Sequence, residues 1–393
     1  MKSRKMCILL VFLTAIAAYV SISAAAPTLP SGIENPMLIR YPELASAPAP
    51  SWLAEGTRAT YSVLASTYQS ERTEDVEHST GKPGYGLAQS DVVAIDQGKA
   101  AVLTQSYAPD LQNAMRPLLG TGSVAPAGCG DFWCNPKILQ GIPERAGDDL
   151  TVQRLPVTIS GKDYQAIRFD FRSDTLQVAL VYDLETGILL YHTFDYTAYN
   201  LDKEKRFLTT SGNHAILELQ NLRQVQIPWK DGRIPSWVAP GEILDYQGQK
   251  VVQVQGAQPY SFPLAVQTEV TAEHNRFTEM NAAVYTEDPA SPINIKSVSG
   301  IGQILGFWMP SEAMPGLGQG VLDTDPDTRM QIGIVQSDKN GIVFEKTNQQ
   351  NYRAQFTYDP DGKLIQTVTE YNPDIITSTG FGSVRVETLR LAN

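Results

Sequence analysis

Pro50-Ser51-Trp52-Leu53-Ala54-Glu55-Gly56, with Tyr61 five residues on, returns as Pro235-Ser236-Trp237-Val238-Ala239-Pro240-Gly241, with Tyr246 five residues on. Four more matches follow in the same order. Phe132-Trp133 ahead of Pro136 returns as Phe307-Trp308 ahead of Pro310, and Ile167-Arg168-Phe169-Asp170 as Ile342-Val343-Phe344-Glu345. Tyr182-Asp183 ahead of Gly187 returns as Tyr358-Asp359 ahead of Gly362, and Glu218 with Leu222-Arg223 as Glu387 with Leu389-Arg390. Five ordered matches at offsets of about 170 to 185 residues are the mark of a tandem duplication.

The repeat sets the expected boundaries. Unit one covers residues 45–226 and unit two residues 235–393, with 227–234 as a Pro- and Gly-bearing linker. Residues 27–44 carry Pro27, Pro30, Pro36 and Pro42 and read as an extended N-terminal segment. Each unit is long enough for a core of its own; two separate domains and two halves of one sheet both fit.

Within each unit the pattern has period two. Ala59, Tyr61 and Val63 alternate with Thr60 and Ser62; Ile167, Phe169 and Phe171 with Arg168, Asp170 and Arg172; Tyr352, Ala354, Phe356 and Tyr358 with Arg353, Gln355 and Thr357. Such alternation is that of half-buried strands. Asp183 to Gly187 and Asp359 to Gly362 have the composition of hairpin turns, as do Ser160 to Asp163 and Asp338 to Gly341. The fold predicted is mainly β: a tandem pair of antiparallel-sheet units, each a curved sheet or half-barrel, with one or two short helices. One helix is expected over Asp110–Leu119, where Leu111, Ala114, Met115, Leu118 and Leu119 recur at helical spacing. Ile301 to Leu305 is the weaker counterpart. The stretch Val181-Tyr182-Asp183-Leu184-Glu185-Thr186-Gly187-Ile188-Leu189-Leu190 resembles hairpins of periplasmic lipoprotein-carrier half-barrels, a likeness of architecture.

The N-terminus gives the compartment. Lys2, Arg4 and Lys5 precede an apolar run from Ile8 to Val20, and Ala24-Ala25-Ala26 follows, so residues 1–26 read as a secretory signal peptide. The product expected is secreted, periplasmic or extracellular, with no transmembrane segment after signal removal. The 31 basic and 42 acidic residues give a charge of −11, and loss of the three basic residues of the signal deepens it to −14. That charge argues against nucleic acid or anionic lipid headgroups as the main partner. In an oxidising compartment Cys129 and Cys134 are expected to form a local disulfide closing the loop around Trp133.

Catalytic signatures are missing. There is no Gly-x-Ser-x-Gly elbow, and His78, His192, His214 and His274 are scattered without metal spacing. Asp323, Asp325 and Asp327 alternate like the start of a calcium loop, but Thr328 and Ile334 stand where Gly and a bidentate Glu belong, so a solvated loop is expected. Asp170, Asp183 and Glu185 are weak candidates for paired-carboxylate chemistry. Gly316-Leu317-Gly318-Gln319-Gly320 lacks the Lys of a phosphate cradle and reads as a loop. Lys203-Glu204-Lys205-Arg206 reads as a hydrated loop tip. No catalytic residue, metal or cofactor is assigned.

The aromatic residues retained in both units, Trp52, Trp133, Trp237 and Trp308, are the candidate ligand-binding residues, with core anchoring as the competing role. The function expected is a secreted, non-enzymatic binding protein for an apolar or amphipathic ligand, a small molecule or lipid. The alternatives are an exported hydrolase acting on glycan or peptide, and a structural envelope-associated protein.

Overall fold

The structure is a computed structural model, and it describes residues 35–73, 76–109, 114–201, 207–253, 258–285, 292–371 and 383–392. The first repeat supplies β1 (Thr57–Thr73), β2 (Val76–Asp96), β3 (Lys99–Pro109), β4 (Met115–Pro126) and a small ribbon of β5 (Cys129–Gly130) and β6 (Trp133–Cys134). It continues with β7 (Leu150–Ile159), β8 (Lys162–Arg172), β9 (Leu176–Asp183), β10 (Leu189–Leu201) and β11 (Phe207–Gln224). The second supplies β12 (Ile243–Gln253), β13 (Tyr260–Glu273), β14 (Phe277–Tyr285), β15 (Ile293–Gly300) and β16 (Gly320–Thr324). It ends with β17 (Gln331–Asp338), β18 (Gly341–Thr347), β19 (Tyr352–Tyr358), β20 (Leu364–Tyr371) and β21 (Ser383–Leu391).

The two sheets have one topology. The first runs β4-β3-β2-β1-β11-β10-β9-β8-β7 and the second β15-β14-β13-β12-β21-β20-β19-β18-β17-β16. In both, four strands meander outward and the chain then returns from the far edge until its last strand lies beside its first. β16 is an added edge strand of the second copy. The ladders fall as the alternation requires: Ile167 and Phe169 are buried on β8, Ile342 and Phe344 on β18.

The copies also share their local anchors. The Trp52 indole donates to the Thr186 carbonyl at 2.6 Å, and Trp237 to Asp361 at 3.0 Å, each holding the hairpin turn of its own repeat. The Tyr61 hydroxyl donates to Leu189 O and the Tyr246 hydroxyl to Leu364 O, both at 2.8 Å. Cys134 N donates to Gly187 O, and Met309 N to Gly362 O. The fold is thus mainly β and duplicated.

By compactness the chain divides differently. One unit takes the described residues of Met1–Trp52, Ala59–Gln89 and Pro126–Leu222, the other Leu53–Arg58, Ser90–Ala125 and Arg223–Asn393. Part of the first repeat therefore belongs to the second compact unit, where Val93, Ala94 and Ala101 pack with Phe277 and Val298.

Several expectations are corrected. No helix covers the described part of Asp110–Leu119; Met115–Pro126 is the edge strand β4. Pro117 is the reason, because it cannot donate inside a helix but is tolerated on a sheet edge. Residues 110–113 lie outside the described residues. Ile301 to Leu305 forms turns. The segment 27–44 is not extended throughout: Pro36–Arg40 is a helix capped by the Asn35 side chain, and Pro42–Ser46 a 3-10 helix. Pro136–Gly141 is a further short helix, capped by Asn135. The linker 227–234 is pinned, since Trp229 is buried in the second unit's core and donates to Gln303 O at 3.3 Å. The signal segment and Lys203 to Arg206 lie outside the described residues.

The turn glycines give a test of the duplication. Gly187 and Gly362 sit at φ +77° and +78°, and a Cβ on either would collide with the carbonyl of Cys134 or Met309 respectively. Gly187→Ala and Gly362→Ala should each lower stability by about 2 kcal/mol or more, measured by urea unfolding. A cost at one turn and none at the other would contradict the equivalence.

Candidate functional site

The four tryptophans divide by burial. Trp133 and Trp308 lie inside their units, donating to Ala127 O at 2.8 Å and to the Thr278 hydroxyl at 3.0 Å. Trp52 and Trp237 are half-buried on the turns they hold, with the Lys363 ammonium 4.4 Å from the Trp237 ring centroid. Around Trp133 the expected disulfide is not formed. Cys129 and Cys134 are free, with Sγ atoms 2.7 Å apart across the β5–β6 pair, beyond the covalent ~2.05 Å. The contact with Cys134, then burial, pushes the Cys129 thiol up, which disfavours its reactive thiolate form. In the second copy Ile304 and Met309 hold the equivalent places in the core.

The acidic run is not a solvated loop. Arg58 grips Asp91 through two bonds of 2.6 and 2.7 Å and reaches Asp325 at 3.1 Å and Asp323 at 3.5 Å. Arg223 grips Asp323 through 2.8 and 2.7 Å bonds and touches Asp325 at 2.8 Å. The remaining oxygen of Asp325 accepts from the amides of Asp327 and Thr328 and from the Thr328 hydroxyl. Burial disfavours the Asp325 charge, yet Arg58, the Thr328 amide and Arg223 hold its carboxyl well below the usual carboxylate range. Three carboxylates answered by two guanidinium groups have no call for calcium; among the described residues no cluster of metal-binding side chains is found. None of these partners is legible from sequence spacing, since they lie up to 267 residues apart.

The other candidates are likewise occupied. Asp170 pairs with Arg168 at 2.7 Å, and Asp183 accepts from the Thr186 amide and hydroxyl within its turn. His274 meets Glu279 at 2.9 Å, and His214 lies 3.6 Å from Asp195. His192 differs. It is 4 % exposed on β10 between Leu180 and Leu217, and among the described residues neither ring nitrogen has a partner. Burial lowers its pKa from 6.5 to about 4.

The second unit contains a cavity of about 310 Å³. Tyr246, Val266, Ala282, Ile295, Leu364 and Leu389 line it from the sheet, and Leu305 with Phe307 from the connection after β15. Leu103 of β3 closes another side. None of the four candidate tryptophans lines it, although Phe307 is the neighbour of Trp308 in the repeated Phe-Trp pair. Among the described residues no helix is long and apolar enough to cross a membrane.

No family model matches the chain, and no curated protein matches it. Among solved structures, a protein of unknown function from Nostoc punctiforme is similar at 8 % identity, covering 84 % of this chain and 95 % of its own, with a TM-score of 0.15. Pseudomonas aeruginosa OccK2 (OpdF) is similar at 9 % identity, over 85 % and 96 % of the two chains, with a TM-score of 0.12. The outer membrane channel DcaP of Acinetobacter baumannii is similar at 11 % identity, over 88 % and 100 %, again at 0.12. Superpositions this slight carry no conclusion over to this chain.

Two substitutions test the buried charges. Asp325→Asn should cost about 2 kcal/mol, because it replaces the charged acceptor shared by Arg58 and Arg223 with a neutral amide while each arginine keeps its other aspartate. The depressed carboxyl contributes its stability above the ordinary carboxylate range and loses it as pH falls below that range. His192 is neutral when folded, so its contribution is complete above about pH 6.5 and is lost as pH falls towards 4, about 3 kcal/mol in all. His192→Leu should abolish that acid loss in unfolding midpoints measured across the interval; an unchanged slope would refute the assignment.

Proposed function

We propose that this is an exported, non-enzymatic binding protein whose second unit takes a small apolar or amphipathic molecule, or one chain of a lipid, into the cavity behind Tyr246 and Leu364. The observation that carries this reading is the cavity itself: about 310 Å³ of space walled chiefly by aliphatic and aromatic side chains. That volume is at the lower end of small-molecule sites, whose walls are mostly apolar with a few polar groups. Ser297, Gln303 and Thr367 supply those groups here. A ligand that occupies this pocket in the folded chain stabilises the fold by mass action.

Export is supported by the signal-like residues 1–26. The non-enzymatic reading is supported by Asp170, Asp183 and the Asp323–Asp325 pair, whose carboxylates are engaged by Arg168, Thr186, Arg58 and Arg223.

Nile red added to the purified protein should bind and brighten, and Ala282→Phe, which pushes a ring into the cavity from β14, should weaken binding by about tenfold or more. Circular dichroism checks that the variant is folded. Equal binding by a folded variant would place the dye elsewhere and sink the assignment.

A further inference from the structure

The registers of the second sheet arrange its inner face in lateral rows. One row crosses the strands as Phe344, Phe356, Thr367, Leu389 and Gly248. Three of its members, Phe356, Thr367 and Leu389, line the cavity. Two residues further along each strand, on the same face, the next row is Lys346, Ala354, Thr369, Glu387 and Lys250. The step between rows is about 7 Å. The cavity wall is therefore followed directly by a row that carries charge.

The charges in that row are not all matched. Glu387 is taken by Lys250 at 3.3 Å and by the Tyr371 hydroxyl at 3.3 Å. Lys346 has no carboxylate within ion-pair distance among the described residues. Its ammonium donates to the Tyr107 hydroxyl oxygen at 3.0 Å and lies 5.2 Å from the centroid of that ring. Burial first, then the charge of Arg58, brings the Lys346 pKa down to about 8, with Asp91 and Asp325 opposing. Tyr107 is buried, and burial pushes its phenol pKa up. It stays protonated, and with its oxygen occupied by Lys346 its own O–H is left to donate. Tyr107 stands four residues beyond Leu103 on β3, on the same face, so the opposite cavity wall leads to the same pair.

We propose that the cavity ligand is an amphipathic anion, an apolar chain ending in a carboxylate, with the chain against Phe356, Leu389 and Leu103 and the carboxylate on the Lys346 ammonium and the Tyr107 hydroxyl. This rests on reading the cavity as a binding site. One ammonium and one hydroxyl match a singly charged group. A phosphate monoester would call for further cations, and Arg58 and Arg223 are already committed to three aspartates.

The test is calorimetric titration of the full chain with decanoate and with decanol. The wild type should bind decanoate about tenfold more tightly than decanol. Lys346→Met should bring decanoate down to the level of decanol and leave decanol unchanged, with a smaller loss for Tyr107→Phe. Raising the pH from about 7 to about 9.5 should weaken decanoate alone, as Lys346 loses its proton. Arg58, Asp91, Asp325 and Tyr107 face the same amine, so the disappearance of that pH slope in Lys346→Met assigns it. Equal affinity of the wild type for both ligands, or decanoate binding untouched by Lys346→Met, would overturn the proposal and leave the cavity reading standing. Binding of neither would overturn both. The wild-type pH profile decides independently if the variant does not fold.

Discussion

Every feature of this molecule depends on strands that must hide one face. On β18 the hidden side chains are Ile342 and Phe344, and a slip of one residue would bury Val343 and Glu345 instead. Because the side-chain period is two, such a slip inverts a whole strand at once. The penalty fixes the ladders, the ladders fix the lateral rows, and the rows determine which residues meet inside the sheet. The cavity and the charged row beside it are consequences of register before they are consequences of any motif.

The charged groups of the second unit show how a fold tolerates buried ions. Asp325 is 1 % exposed in its side chain, a position that disfavours ionisation, and it is ionised only because two guanidinium groups and three donors of its own loop surround it. Bidentate geometry matters here, since Arg58 and Arg223 each close a planar fork on one carboxylate and still reach a second. His192 is the opposite solution: an ionisable group kept neutral among leucines, with no partner for either nitrogen among the described residues.

The duplication, the turns and the inward residues of β8 and β19 were legible because they follow from local chemistry, repeated twice. The edge strand β4 was misread because Met115, Leu118 and Leu119 satisfy a helical spacing that Pro117 forbids. The paired tryptophans were visible as equivalents, but their hydrogen bonds to turn carbonyls depend on contacts more than a hundred residues away in sequence. The arginine–aspartate cluster had no local signature at all. Lys346 did leave a trace: it continues the Ile342, Phe344 alternation onto the apolar face, and a charge at an inward position is the kind of local conflict that marks a site.

The pairing of the last strand of each repeat with its first sets the order of events in the life of the chain. Tyr246 lies opposite Leu391, so the second sheet cannot close until the chain has been made through β21. Contacts this distant make for slow folding, because the entropy of closing a long loop is spent before any of the pairing energy returns. Until β21 arrives, β12 presents an open edge able to recruit foreign strands. Newly made molecules thus have a prolonged vulnerable interval, in which chaperoning matters more than the stability of the finished sheet.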